Sequence, residues 1–370
     1  MRVLVVAAPL PGHLTPLLPL AHALWDSGHE VLLAAGAESV SPGTAGPLPF
    51  IDVARNVRVG RAAARSVLTH PVAARAELAG QGSDSGLRSL FGPVNEELSD
   101  AVVTVAEQWD PDVVVHEPLA VAGAIAAARA GVPAVLHENG LHDGAALFRA
   151  VLDSRPMDRA RRRLGVTTVP PPAVMLTIAP SSLVGIRDGL PVRPVPAAVV
   201  PGGEEVPGWL QAPSERPRVL VTPAGGPVRG NLQFSALRAA AELDCELVLV
   251  RPHPRIARRA GPGVKIVGRI PAEDLLATCA AVAHGGSARS VLGALAAGIP
   301  QLVLPGPGDR RLNAQLVEAR GAGIAGPVTA ESLDRLLHDG ELAAAAREVR
   351  GEIAAMPPPQ SRVEVVTTLA

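Results

Sequence analysis

The stretch VAHGGSARSVLGALAAGIPQLVLPG, residues 282–306, decides the fold. A short apolar run ends at His284 and Gly285-Gly286 makes a turn. An Ala-rich segment of helical character follows, then Gly298-Ile299-Pro300 and a second apolar run. Gly is the natural stop of a helix, and Pro is tolerated only at the first position of a strand. The pattern therefore predicts strand, Gly-rich turn, helix and strand. DVVVHEPLAVAGAIAAARAGVPAVLHE, residues 112–138, has the same order of parts, with Gly131-Val132-Pro133 at the same place. One βαβ corner thus occurs once in each half of the chain.

Two further segments agree. RVLVVAA, residues 2–8, is a continuous apolar run of the kind that suits a strand covered on both faces. LTPLLPLAHALWDSGHEVLLAAG follows, in which Thr15 can cap a helix, Pro16 suits its first turn and Gly28 its stop. RPRVLVTPAGG, residues 216–226, opens a second strand–turn–helix–strand series. Alternation of this kind means parallel sheets with crossover helices, and finding it twice in 370 residues predicts two α/β domains. The Pro- and Gly-dense residues 192–217 read as the connection, and residues 40–90, the least patterned, as loops and short helices.

Composition narrows the function. A hydrophobic content of 48% fits a globular protein, and a net charge of −1 gives no basic field for nucleic acid. No apolar stretch is long enough to span a bilayer, so stable membrane insertion is not expected. Cys245 and Cys279 make neither a disulfide framework nor a metal-ligand spacing, which points to the cytoplasm and to no metal site. No G-x-G-x-x-G follows the first strand, which argues against a dehydrogenase.

In doubly wound sheets ligands sit beyond the carboxyl ends of the strands. Three such loops carry chemistry: PLPGHLTP with His13, VVHEPLA with His116 and Glu117, and VAHGGSARS with His284. In the third, a Gly-Gly turn opening a helix is an anion site, with His284, Ser287 and Arg289 as added donors. His116 precedes Glu117 on a strand, points the other way and reads as structural.

Residues 270–323 resemble the donor-binding region of GT-B fold glycosyltransferases, above all the bacterial enzymes that glycosylate macrolides, aromatic polyketides and enediynes. Pro271, His284-Gly285-Gly286-Ser287, Ala294-Leu295, Gly298-Ile299-Pro300-Gln301, Pro305, Asp309 and Asn313-Ala314 fall in register with that family's pattern. GHLTPLLPLAHALWDSGHEV and EIAAMPPP resemble its opening helix and its C-terminal end. The resemblance implies a GT-B architecture, two Rossmann-like doubly wound parallel-sheet domains facing a central cleft. Residues 1–195 would bind the acceptor, 196–217 link, and 218–352 bind a nucleotide-diphosphate sugar, with 353–370 crossing back to the N-terminal domain.

The resemblance also assigns residues. His284, Gly285, Gly286, Ser287, Ala288 and Arg289 would hold the diphosphate. Asp309, Arg310 and Asn313 would lie at the sugar, Arg269 and Ile270 along the base, and Gly225 at the donor. His13 would be the general base for the acceptor hydroxyl, oriented by Glu117, and the positive end of the following helix would favour the neutral imidazole. His137, Asn139 and His142 would line the acceptor pocket. The family's Trp before the Pro step is Arg269 here, its Gly-Thr is Ala288-Arg289, and its polar residue after the Asp is Arg310. A left-handed backbone at position 288 would be uncomfortable for Ala.

The expected activity is inverting, metal-independent transfer of a deoxysugar, with dTDP as the expected carrier, to a hydroxyl of a small hydrophobic natural product. No cofactor is expected beyond the nucleotide sugar, and the chain is expected to be a monomer or homodimer. Two alternatives stay open: a non-catalytic sugar-nucleotide-binding partner of another glycosyltransferase, and a nucleotide-sugar epimerase of the same fold.

Overall fold

The computed structural model describes residues 1–39, 45–78, 84–195, 205–212, 214–224, 231–261 and 263–370. By contacts the chain divides into two units. One comprises Met1–Ala179, Ile186–Val195 and Met356–Ala370, and the other Pro180–Gly185 and residues 196–355. Residues 180–185 thus leave the N-terminal half for the second unit, and the C-terminal residues from Met356 onward belong to the first.

The first unit holds a seven-stranded sheet of β1 (Arg2–Val6), β2 (Glu30–Ala35), β3 (Phe50–Asp52), β4 (Val113–His116), β5 (Ala134–His137), β6 (Val174–Thr177) and β7 (Leu190–Pro191). Its order is β3-β2-β1-β4-β5-β6-β7, with every pairing parallel. The second unit repeats the scheme with six strands: β8 (Arg218–Val221), β9 (Glu246–Val250), β10 (Val264–Val267), β11 (Ala281–His284), β12 (Gln301–Val303) and β13 (Gly323–Ala325). Its order, β10-β9-β8-β11-β12-β13, is again wholly parallel. Both sheets are doubly wound α/β.

The apolar runs are continuous because both faces are covered. In β8, Val219 and Val221 pack into one apolar cluster and Leu220 into another on the opposite face. The neighbouring strand β9 divides in the same way, with Leu247 and Leu249 in the first cluster and Val248 and Val250 in the second. Burying each such side chain is worth about 1.5–3 kcal/mol, so an unpartnered polar residue in place of any of them would be costly.

The two βαβ corners coincide in detail. Helix α3 (Val121–Ala130) joins β4 to β5, and α4 (Ala288–Ala297) joins β11 to β12; α1 (Leu18–Asp26) and α2 (Asp84–Trp109) precede them, and α5 (Arg310–Ala319) follows. Gly131 ends α3 at φ 73°, ψ 24°, and Gly298 ends α4 at φ 72°, ψ 29°. Pro133 and Pro300 then each give a carbonyl to the preceding strand, at Val114 and Val282.

Three local expectations change. Thr15 caps nothing: Thr15–Leu17 form a 3₁₀ turn and α1 begins only at Leu18, because Pro16 and Pro19 both suit helix entry and push the start onward. Gly28, at φ 84°, does follow the end of that helix. The latter part of the expected linker is structured, since Gly208–Gln211 is helical and Leu210 is fully buried in the second unit. Arg218 holds the carbonyls of Trp209 and Leu210, with its guanidinium 5.5 Å from the Trp209 ring centroid. Finally, residues 40–90 do hold short helices, Val59–Thr69 and Pro71–Leu78, but also the strand β3 and the first turns of the long helix α2.

Candidate active site

In each sheet the winding reverses between two neighbouring strands, β1 and β4 in the first unit and β8 and β11 in the second. A crevice opens beyond their carboxyl ends. The sequence-derived candidates fall on these loops.

In the first unit, His13 lies on the loop after β1, Glu117 directly after β4 and Asn139 two residues after the end of β5. Glu117 is fully buried, yet its carboxylate is closely supplied with donors. Oε1 accepts the Ala8 N–H at 3.0 Å and lies 3.1 Å from Nδ1 of His13. Oε2 accepts the Leu119 N–H at 2.7 Å and the Asn139 side-chain N–H at 3.0 Å. Four N–H groups facing two oxygens is the environment of an acceptor-only carboxylate. Hydrogen bonds to a charged acceptor are worth about 1.5–3 kcal/mol each, which offsets the several kcal/mol of burying the charge.

With Nδ1–H given to Glu117, the lone pair of a neutral His13 ring falls on Nε2. The His13 side chain keeps 20% of its surface exposed whereas Glu117 has none, so a substrate can reach the imidazole and not the carboxylate. The arrangement can accept a proton on the ring and stabilise the resulting imidazolium.

Asn95, in the middle of α2, supports this corner and carried no sequence signal. It is fully buried, donates to the Leu119 carbonyl at 2.8 Å and accepts the Ala122 N–H at 3.0 Å. It therefore caps α3 from outside and fixes the residue that bonds Glu117.

The expected acceptor residues divide. Asn139 meets Glu117 and lies 3.3 Å from His13 Nδ1. His137 lines no acceptor pocket: it is 2% exposed, gives Nδ1–H to the Glu138 carbonyl at 2.7 Å, and burial pushes its pKa down to about 4. The last residue of a strand covered on both faces turns inward, which explains the difference. His116 behaves likewise on β4, fully buried, with its pKa lowered to about 4 by burial and its ring 5.4 Å from Phe148. His142 is half-buried and its carbonyl accepts from Arg187 at 2.7 Å.

Glu138 and Arg187 were not foreseen. Glu138 is 2% exposed, accepts the Gly144 N–H at 2.9 Å and the Thr177 O–H at 2.6 Å, and lies 3.5 Å from Arg187 Nη1. Its signal was present: His-Glu ends β5 as it ends β4.

In the second unit His284 takes a different part from the expected one. It is fully buried, and Nδ1 accepts the Gly286 N–H at 3.1 Å while Nε2–H donates to Gln301 Oε1 at 2.8 Å. Burial lowers its pKa to about 4, so the ring is neutral with both nitrogens engaged. It cannot donate to a phosphate; it holds the turn, and the Gly286 N–H is spent on it.

The left-handed residue of the turn is Gly286, at φ 78°. A Cβ there would lie 3.0 Å from Val303 Cγ1 and 3.1 Å from the Arg310 carbonyl. Ala288 is instead the first residue of α4, an ordinary helical position, so Ala in place of Gly leaves the turn intact. Ser287 caps α4, its hydroxyl accepting the Ser290 N–H. Gly285 is half-buried and Arg289 is exposed on the first helical turn.

Asn313, on α5, is fully buried and donates to the Gly286 carbonyl at 2.9 Å and to the Asp309 carboxylate at 2.8 Å. It ties Asp309 and the turn together. Arg310 packs across Gly306, where a Cβ would lie 3.2 Å from its Cδ. Arg269 is exposed, whereas the Ile270 side chain is in the core. Gly225 lies outside the described residues. Among the described residues, no group of three His, Cys, Asp or Glu side chains is placed to hold a metal ion. No helix of the described residues is long and apolar enough to cross a membrane.

Residues 22–224 match the N-terminal domain of the family described as erythromycin biosynthesis protein CIII-like, and residues 235–370 match its C-terminal domain. The chain belongs to that family. It is a glycosyltransferase of the GT-B fold, of the kind that works in natural-product biosynthesis. The elloramycin glycosyltransferase ElmGT of Streptomyces olivaceus is 35% identical over 97% of this chain and 95% of its own length. Among solved structures, the glycosyltransferase SnogD from Streptomyces nogalater superposes with a TM-score of 0.82 at 31% identity, covering 100% of this chain and 99% of that one. Spinosyn rhamnosyltransferase SpnG complexed with thymidine diphosphate gives a TM-score of 0.81 at 29% identity, over 99% and 100% of the two chains. SpnG is also solved with the spinosyn aglycone. Both units of this CIII-like glycosyltransferase therefore have full-length counterparts.

Proposed function

We propose that this glycosyltransferase moves a deoxysugar from a dTDP-linked donor to a hydroxyl of a hydrophobic polyketide-type acceptor, with inversion at the anomeric carbon. The contact between His13 Nδ1 and Glu117 Oε1, at 3.1 Å within a buried set of N–H donors, carries this reading. A non-catalytic binder would have no use for an ionisable ring held against a buried carboxylate.

In the proposed step, His13 Nε2 takes the proton of the acceptor O–H as its oxygen attacks the anomeric carbon. The bond from that carbon to the phosphate oxygen breaks, and dTDP leaves with the electron pair. The imidazolium rests against Glu117. A single displacement leaves the new bond on the opposite face of the sugar. A positioned base of this type contributes about 10²–10⁴-fold to the rate.

The second unit would bind the leaving group. The first-turn N–H groups of α4, the Ser287 hydroxyl and Arg289 supply donors and positive charge to a diphosphate. Asp309, held by Asn313, would accept from sugar hydroxyls, with Arg310 beside it. The backbone at Arg269–Ile270 would run along the base. That SpnG is solved with thymidine diphosphate and with an aglycone supports the choice of substrate classes.

The test is to screen nucleoside-diphosphate sugars for thermal stabilisation of the chain. The best ligand is then incubated with polyketide aglycones and the anomeric configuration of the product read by NMR. A shift by dTDP-sugars and an inverted product are expected. No shift with any sugar nucleotide, or a retained configuration, would overturn the reading.

A further inference from the structure

We propose that Glu138 and Arg187 are a positioning pair for the His13–Glu117 base, acting through Asn139. The inference rests on the reading of His13 as the base.

Of the four N–H groups around Glu117, those of Ala8, Leu119 and His13 come from the loops after β1 and β4. The fourth, from Asn139, comes from the loop after β5. The placement of Asn139 is therefore set by residues 138–144, which Glu138 closes on themselves. Its Oε1 accepts the Gly144 N–H at 2.9 Å, and its Oε2 accepts the hydroxyl of Thr177, the last residue of β6, at 2.6 Å.

Arg187 braces the same loop from a segment that follows the second unit's Pro180–Gly185. Its Nη1 lies 3.5 Å from Glu138 Oε1 and donates to the His142 carbonyl at 2.7 Å. Its Nη2 donates to the Leu141 carbonyl at 2.6 Å. One guanidinium thus gathers three acceptors, using the planar fork that a Lys lacks. Packing links this loop to the catalytic corner as well: a Cβ on Gly144 would lie 2.7 Å from Glu138 Cγ and 3.0 Å from Cγ of Pro118, the neighbour of Glu117.

A buried ion pair is often only a feature of the fold, and replacing such a pair is frequently neutral. What distinguishes a positioning pair is its effect on His13. A carboxylate beside an imidazole favours the charged ring. If Asn139 releases Glu117, that carboxylate turns away and the His13 midpoint falls.

The experiment is an NMR titration of protein labelled with ¹⁵N-histidine, the His13 ring signals being assigned by their loss in His13→Asn. Glu117→Gln serves as the reference. It is expected to lower the His13 midpoint and to mix the two neutral tautomers. Arg187→Leu is expected to move both observables the same way, by about half a pH unit or more, and Arg187→Lys by less. Asn139→Ala should match Arg187→Leu, and the double variant should go no further than Asn139→Ala alone.

Should Arg187→Leu fail to fold, Arg187→Lys and Asn139→Ala carry the comparison. If the Arg187 variants melt earlier yet leave the His13 titration at its wild-type position, the pair is structural only and the inference is overturned. If Glu117→Gln also leaves His13 unmoved, the base–orienter reading itself fails.

Discussion

The side-chain amide of Asn313 donates to the carbonyl of Gly286, 27 residues earlier, and the same nitrogen reaches the Asp309 carboxylate. One buried side chain therefore aligns the turn proposed for the diphosphate with the carboxylate proposed for the sugar. Asn313→Ala should weaken dTDP binding about tenfold, equivalent to roughly 1.4 kcal/mol, the scale of a buried hydrogen bond. Gly286→Ala should be worse, since its φ of 78° and the close Val303 and Arg310 atoms both resist a Cβ. Calorimetric titration with dTDP decides; unchanged affinity in both variants would remove the turn from the donor site.

His13→Ala is expected to lower kcat by about 10²–10⁴-fold while leaving dTDP affinity within twofold. Glu117→Gln should lower kcat less, because the ring remains but loses the partner that steadies its charged form. Steady-state kinetics with the donor found by thermal screening reads both. Wild-type turnover in His13→Ala would mean that another group takes the proton.

Arg289 places a cation on the first turn of α4, where the helix dipole disfavours positive charge by about 0.3–1 kcal/mol. Such a residue is useful when an anion arrives. Arg289→Thr should therefore raise the melting temperature of the ligand-free protein slightly while weakening dTDP binding, with a shallower salt dependence. Differential scanning fluorimetry at several salt concentrations, with and without dTDP, gives both signs. A variant that binds dTDP as tightly as wild type would release Arg289 from this part.

His116, His137 and His284 are each fully or almost fully buried, with pKa values lowered from 6.5 to about 4. The folded state therefore binds fewer protons than the unfolded state between those values. The three contribute stability that is whole above pH 6.5 and is lost as pH falls toward 4. Three protons correspond to a slope of about 4 kcal/mol per pH unit in that window. Urea midpoints measured from pH 7 to pH 5 should fall steeply, and His116→Phe should reduce the slope by about a third. A flat profile would contradict this origin of acid sensitivity.

Much of the fold could be read because it repeats itself. The βαβ corners at residues 112–138 and 280–306 were legible since Gly131 and Gly298 must take a left-handed conformation and Pro133 and Pro300 must start a strand. The edge strands β3, β7 and β13 were not, being two or three residues long with no periodicity to display. For His13 and Glu117, position at the ends of strands marked each as a candidate, and the family resemblance implied that they pair. His284 was misread because the sequence shows where a strand ends and not which way its last side chain turns. Gln301 held the missing information: β11 and β12 pair Val282 with Gln301 and His284 with Val303, so His284 and Gln301 share one sheet face. A polar residue within an apolar strand asks for a buried partner. Asn95 and Arg187 were beyond reach, since their partners are far away along the chain.

The four groups around Glu117 come from residues 8, 13, 119 and 139, and none comes from residues 45–78. The proposed base and its partners are thus built apart from that stretch of the first unit. For anyone splicing new acceptor preferences into this scaffold, the short helices Val59–Thr69 and Pro71–Leu78 can be varied without touching the proposed base, whereas Ala8, Glu117 and Asn139, just beyond three strands, are the chassis to leave untouched.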